Sequence, residues 1–184
     1  PAGVPRELAG TVSTFRYNRP EELDSIIAAR GGKLAAVVME PMRFTEPADG
    51  FLERVRSMAD WAGAVLVFDE ISAGWRHNFG GMHLALGVEP DVAVFAKALS
   101  NGFPMAAVIG KAAVMQAAQD SFISSSYWTE AVGPAAALAT LRKMRATSVS
   151  AHVAAVGAAA IDGWTRLAAR NGLDLTVQGR PGLC

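Results

Sequence analysis

Four short apolar runs separated by helix-forming segments predict an α/β fold whose sheet is largely parallel. Two further observations support this. The runs are continuously apolar rather than alternating, the mark of strands covered on both faces. Three of them end in an ionisable side chain: Glu40, Asp69 and, just past its run, Lys97. The chain has 184 residues, 51% hydrophobic and 18% charged, enough apolar mass for one domain or a large piece of a bigger one.

Residues 1–19 read as irregular. Pro20, Glu21 and Glu22 open a helix through Arg30, since proline suits a first turn and acids suit the positive end of the helix dipole; Gly31-Gly32 ends it. Leu34–Met39 is the first strand, closed by Glu40-Pro41. Asp49-Gly50 leads into a helix with Phe51, Val55, Met58 and Ala62 on one face, stopped by Gly63. Ala64–Phe68, Val92–Phe95 and Met105–Ile109 are the remaining strands, and Lys111–Gln119 is helical. Helix then dominates from Thr129 to Arg145 and from Ser148 to Arg170, the latter rich in alanine.

The charge balance, 17 basic against 17 acidic residues, argues against a nucleic-acid partner. No stretch is long and apolar enough to predict a membrane span. The only cysteine is Cys184, which excludes an internal disulfide framework and fits a reducing cytoplasm. His77, His83 and His152 lack metal-ligand spacing, and the glycines form no nucleotide-binding fingerprint. Trp61, Trp75, Trp128 and Trp164 read as packing residues, with Tyr127 and Trp128 also able to border a site. Both ends read as cuts, so a fragment is expected.

Ligands in open α/β sheets gather beyond the carboxyl ends of the strands, where Glu40, Asp69 and Lys97 fall. Two readings stand for such a set: an ion pair at the sheet rim, or a site for pyridoxal phosphate. In the second, a partly desolvated lysine amine is nucleophilic, and a carboxylate keeps the cofactor's pyridine nitrogen protonated.

Longer words favour the second reading. Phe68-Asp69-Glu70-Ile71, Gly74-Trp75-Arg76, Phe79-Gly80-Gly81, Gly87-Val88-Glu89-Pro90-Asp91 and Phe95-Ala96-Lys97-Ala98-Leu99-Ser100-Asn101-Gly102 follow one another in order. With Val38-Met39-Glu40-Pro41 and Ser126-Tyr127-Trp128-Thr129, they resemble the class III aminotransferases over residues 34–145, nearest to the glutamate-1-semialdehyde aminomutase-like branch.

The resemblance implies a fold type I enzyme dependent on pyridoxal 5'-phosphate, with residues 1–147 the central part of the large domain and 148–184 the start of a truncated small domain. It implies that Lys97 forms the internal aldimine and shuttles the proton, that Asp69 meets the pyridine nitrogen, and that Ile71 packs on the ring. Thr129 would bind the cofactor phosphate across a homodimer interface. Ile71 is equally readable as core, and Thr129 as a helix N-cap. Glu70 reads as structural and Glu40 as a solvated strand end. Arg76 is open between a substrate carboxylate and a surface ion pair. The implied reaction moves an amino group between a small amino compound and a carbonyl acceptor, with intramolecular transfer as the alternative and an inactive α/β binding module behind both. A phosphate-binding loop and a stacking aromatic expected before Pro1 are missing, so this chain alone should turn over poorly, bind cofactor weakly and expose apolar surface.

Overall fold

The computed structural model describes residues 3–126 and 129–183. Proline and two acids begin the first helix, α1 (Pro20–Arg30), and Gly31, at φ +56°, ends it. The first strand, β1 (Ala36–Met39), starts two residues later than expected, after a short 3-10 turn at Gly31–Lys33. Then come α2 (Phe51–Ala62), β2 (Val65–Asp69), α3 (Met82–Leu86), β3 (Val92–Phe95), β4 (Ala107–Gly110), α4 (Ala112–Met115), α5 (Val132–Ala146) and α6 (Val149–Arg170). The expected Lys111–Gln119 helix is split, α4 passing into 3-10 turns at Gln116–Asp120.

The four strands lie in the order β1-β2-β3-β4. The first three run parallel, in register Val38↔Val67 and Phe68↔Ala93, and β4 returns antiparallel with Val94 opposite Val108. The parallel pairs have room for crossover segments; β3 and β4 are joined by the connection 96–106, shorter than a crossover usually needs and turning at Asn101 and Gly102, both at positive φ, and the chain reverses. The fold is thus the expected α/β class with a mostly parallel sheet flanked by helices.

One core joins α1 and α2 to the sheet through Leu23, Ile27, Phe51, Val55, Leu66 and Phe68. Full burial of side chains such as Leu66 and Phe68 stabilises by about 2–3 kcal/mol each. A second cluster, Ala93, Phe95, Leu99 and Ala137, seats α5 beyond the end of β3. Cover on both sheet faces does not follow, however: Val38 is 63% and Val108 is 53% exposed, and by register they share a face with Val67, Val94 and Asp69. Apolar strand composition reports what a face prefers, not which cover is present. Trp61, expected to pack, is 79% exposed on α2. No helix among the described residues is long and apolar enough to cross a membrane.

At the opposite, amino end of the parallel strands, Asp91 ties the sheet together. It accepts from Arg56 Nη1 at 2.9 Å, from Lys111 Nζ at 2.9 Å and from the Leu66 N–H at 2.8 Å. Burial would raise its pKa, but the hydrogen bonds from Lys111, Leu66 and Arg56 outweigh that and hold the carboxyl below its ordinary range. A depressed folded-state pKa means that the stability it contributes is present above the unfolded value, about 4, and is lost as pH falls through the folded one. Urea midpoints measured from pH 6 down to pH 2 should therefore fall more steeply for the native chain than for Asp91→Asn. Equal slopes would show that Asp91 carries no linked stability.

Candidate active site

Asp69 is the last residue of β2, and its Oδ1 accepts the N–H of Ile71 at 2.9 Å, starting a turn that leads off the sheet. The next residue, Glu70, is completely buried. Its N–H continues the sheet ladder onto the Val94 carbonyl at 2.9 Å, and its own carbonyl accepts Gly74 N–H at 2.8 Å. Its carboxylate accepts the N–H groups of Met82 and His83 at 2.8 and 2.9 Å, capping α3, and lies 2.7 Å from His83 Nδ1. The excursion from 71 to 81 is thereby closed by one residue, its backbone fixing the start and its side chain the end. Gly74 lies so close to the chain that a Cβ there would stand 2.8 Å from the Glu70 carbonyl and from the Phe95 ring.

On the neighbouring strand, Ala96 leaves β3 in extended geometry, and Lys97 opens a single 3-10 turn, Lys97–Leu99, at φ +47°. Left-handed backbone is uncommon for a residue with a long side chain. The lysine Nζ donates to Ser72 Oγ at 2.8 Å, so it rests on the turn that Asp69 begins. Because β2 and β3 are adjacent and parallel, with Asp69 opposite Val94, Asp69, Ile71, Ser72 and Lys97 gather at one end of the sheet.

Of the three strand-end groups only Glu40 forms an ion pair among the described residues, with Arg43. Among the described residues, neither Asp69 nor Lys97 belongs to any salt bridge. The carboxylate keeps one oxygen without a partner among those residues, and the amine is held by a neutral hydroxyl. An unpaired carboxylate and an unpaired primary amine at neighbouring strand ends fit a cofactor that needs a partner for a protonated ring nitrogen and a nucleophile for an aldehyde. Lys97 is exposed, however, so the described residues do not supply the desolvation expected around it. The rival lysine, Lys111, is committed to Asp91.

Ile71 is half-buried in the same turn. Thr129 is exposed, and it is no N-cap: α5 begins three residues later at Val132, whose N–H is taken by Glu130 Oε1 at 2.8 Å. Pro134 draws the helix start toward itself, because proline is tolerated only in a first turn. Tyr127 and Trp128, and the terminal Cys184, lie outside the described residues. Glu40 is half-buried, bonded to Arg43 Nη1 at 3.0 Å, with Oε2 buried and unpartnered among the described residues. Arg76, also half-buried, makes no ion pair among those residues and lines an open groove of about 870 Å³ together with Lys97. Sequence reasoning missed Ser72 and the His83 partner of Glu70, since no periodicity marks a residue whose role is to meet one atom across a turn.

A family model described as aminotransferase class-III matches residues 9–183. The chain is similar to 3-aminobutyryl-CoA aminotransferase of Cloacimonas acidaminovorans, 33% identical over 84% of this chain and 39% of that one. It is similar to glutamate-1-semialdehyde 2,1-aminomutase of Natronomonas pharaonis, 32% identical over 99% of this chain and 43% of that one. A solved structure, the pyridoxal-phosphate internal aldimine form of the Sphingopyxis sp. MTA144 FumI protein, matches with a TM-score of 0.90 and 33% identity, over 98% of this chain and 45% of that one. The chain therefore spans less than half the length of each of these relatives.

Proposed function

The chain belongs to the class III aminotransferase family, and from that premise we propose that it carries the reacting lysine and the ring-nitrogen partner of a pyridoxal-phosphate-dependent transaminase. The observation that supports this most is the meeting of Asp69 and Lys97 at adjacent strand ends, each free of any ion pair among the described residues. Pyridoxal phosphate, when bound, supplies an electron sink for the carbon that bears the transferred amino group.

The residues of the chain do the rest. Lys97 Nζ would hold the cofactor by replacing its aldehyde oxygen, which leaves as water, and, once displaced by the substrate amine, would take the proton from the amine-bearing carbon of the substrate. Asp69, through the carboxylate oxygen not engaged by Ile71, holds the proton on the ring nitrogen. Ile71 offers an aliphatic surface to the ring. Thr129, exposed ahead of α5, is a hydroxyl available to the phosphate of a second subunit's cofactor, in the homodimer with shared sites that the family resemblance implies. Residues 1–147 then form the central part of the large domain and 148–184 the start of the small one, the break falling at the non-helical Thr147-Ser148 between α5 and α6. A cytoplasmic location agrees with the single cysteine. Intramolecular amino transfer stays a second reading, favoured by the aminomutase among the similar relatives.

The test is chemical. The full chain is incubated with pyridoxal phosphate, reduced with borohydride, digested and mapped by mass spectrometry. Label is expected at Lys97 and absent from Lys97→Ala. Label scattered over Lys33, Lys97, Lys111 and Lys143 would sink the assignment of a formed site.

A further inference from the structure

The chain holds four asparagines, Asn18, Asn78, Asn101 and Asn171. Three have their side-chain amides engaged. Asn18 donates to the Glu46 carbonyl and accepts the Ala48 N–H, both at 2.8 Å. Asn78 donates to the Gly81 carbonyl at 2.9 Å, and Asn171 to the Leu167 carbonyl at 2.8 Å. Asn101 is exposed in the connection between β3 and β4, and its side chain has no hydrogen-bond partner among the described residues.

Two of the four precede glycine, as Asn101-Gly102 and Asn171-Gly172. The order matters because the backbone nitrogen that follows an asparagine can attack its side-chain carbonyl carbon, and glycine has no Cβ to obstruct the approach. Sterically the two pairs are alike. Each glycine is exposed and at positive φ, and a Cβ at either would meet no atom within 4 Å. Hydrogen bonding separates them. The Gly172 N–H donates to the Ala169 carbonyl at 3.4 Å, and the Asn171 amide is tied back to α6. Neither the Gly102 N–H nor the Asn101 amide donates to anything among the described residues.

We infer that Asn101 is a site of spontaneous deamidation, selected over Asn171 by the turn that leaves both reacting groups free. The Gly102 nitrogen forms a bond to Asn101 Cγ, the Cγ–Nδ2 bond breaks, and the amide nitrogen leaves as ammonia with the proton that the Gly102 nitrogen gives up. Water then opens the cyclic imide at either carbonyl, to aspartate or isoaspartate, and no oxidant or reductant takes part. The new carboxylate enters the groove that Asn101 lines with Lys97, where the ionisable side chains are otherwise Arg76, Lys97 and Lys143. The Asn101 N–H donates to the Lys97 carbonyl at 3.1 Å, so the isoaspartyl product, whose main chain runs through the former side chain, lengthens the path from the lysine's turn to β4.

The test ages the full chain in warm, mildly alkaline buffer, after circular dichroism has confirmed that it is folded. Samples are digested, and aspartate and isoaspartate at each asparagine are quantified by mass spectrometry. Asn101 should convert about tenfold faster than Asn171, the factor expected where hydrogen bonds must first be broken. In urea, which frees both pairs, that ratio should shrink toward unity. Asn101→Ser should abolish the fast conversion and leave the other three asparagines at their native rates. Equal native rates at the two pairs, or a faster Asn171, overturns the inference. A preference for Asn101 that persists unchanged in urea also overturns it, because neighbouring residue types rather than the turn would then set the rate. None of these readings depends on cofactor binding, so the outcome at Asn101 and the outcome of Lys97 labelling are independent.

Discussion

Replacing Glu70 by alanine should lower the unfolding free energy of the chain by about 3 kcal/mol, because it strands two backbone N–H groups and one imidazole nitrogen in a buried place. The carboxylate is fully inaccessible, and its partners at Met82, His83 and the His83 ring are fixed by the start of α3. Water entering the vacated space would recover part of the loss, which keeps the figure well below three full desolvation penalties. Glu70→Gln preserves volume but turns an amide NH₂ toward donors, so it too should destabilise, by less. Urea unfolding followed by circular dichroism reads both, and a loss under 1 kcal/mol for Glu70→Ala would mean that the 71–81 turn stands without its staple.

Asp69→Asn should leave the fold nearly intact and cut amine transfer about 10–10³-fold. The asparagine Oδ1 can still accept the Ile71 N–H, so the turn after β2 survives. What is lost is the negative charge. An adjacent opposite charge typically moves a pKa by about one to three units, and each unit by which the ring nitrogen fails to stay protonated is a factor of about ten in the species that reacts. Single-turnover rates on the cofactor-loaded full chain, set against urea midpoints for the same variant, separate the two effects. A rate equal to that of the native chain would remove Asp69 from the role proposed for it.

The strand ends and the family words were readable because proline, glycine and charge interrupt apolar runs in ways that admit few alternatives. Pro20, Gly31, Pro41, Gly50 and Gly63 all stand within two residues of the boundaries observed for α1, β1 and α2. The direction of β4 follows from the short connection through Asn101-Gly102, not from the strand's own composition. The start of α5 was misplaced because a threonine before a helical pattern is a capping signal, while the glutamate beside it competes for the same N–H and prevails. At the site, residue identity pointed to Asp69 and Lys97, but not to the hydroxyl of Ser72 on which the lysine rests or to the exposure of its amine. Those depend on where a turn closes in space, and no local pattern encodes that distance.

The backbone angle of +47° at Lys97 sets the needs of folding against those of chemistry at a single position. A β-carbon in that region costs about 1 kcal/mol, which glycine would not incur and asparagine would partly escape. On the role proposed for Lys97, a population selected for heat resistance alone would therefore drift toward glycine at position 97 and lose the amine on which that role depends. Backbone geometry alone would not choose lysine there.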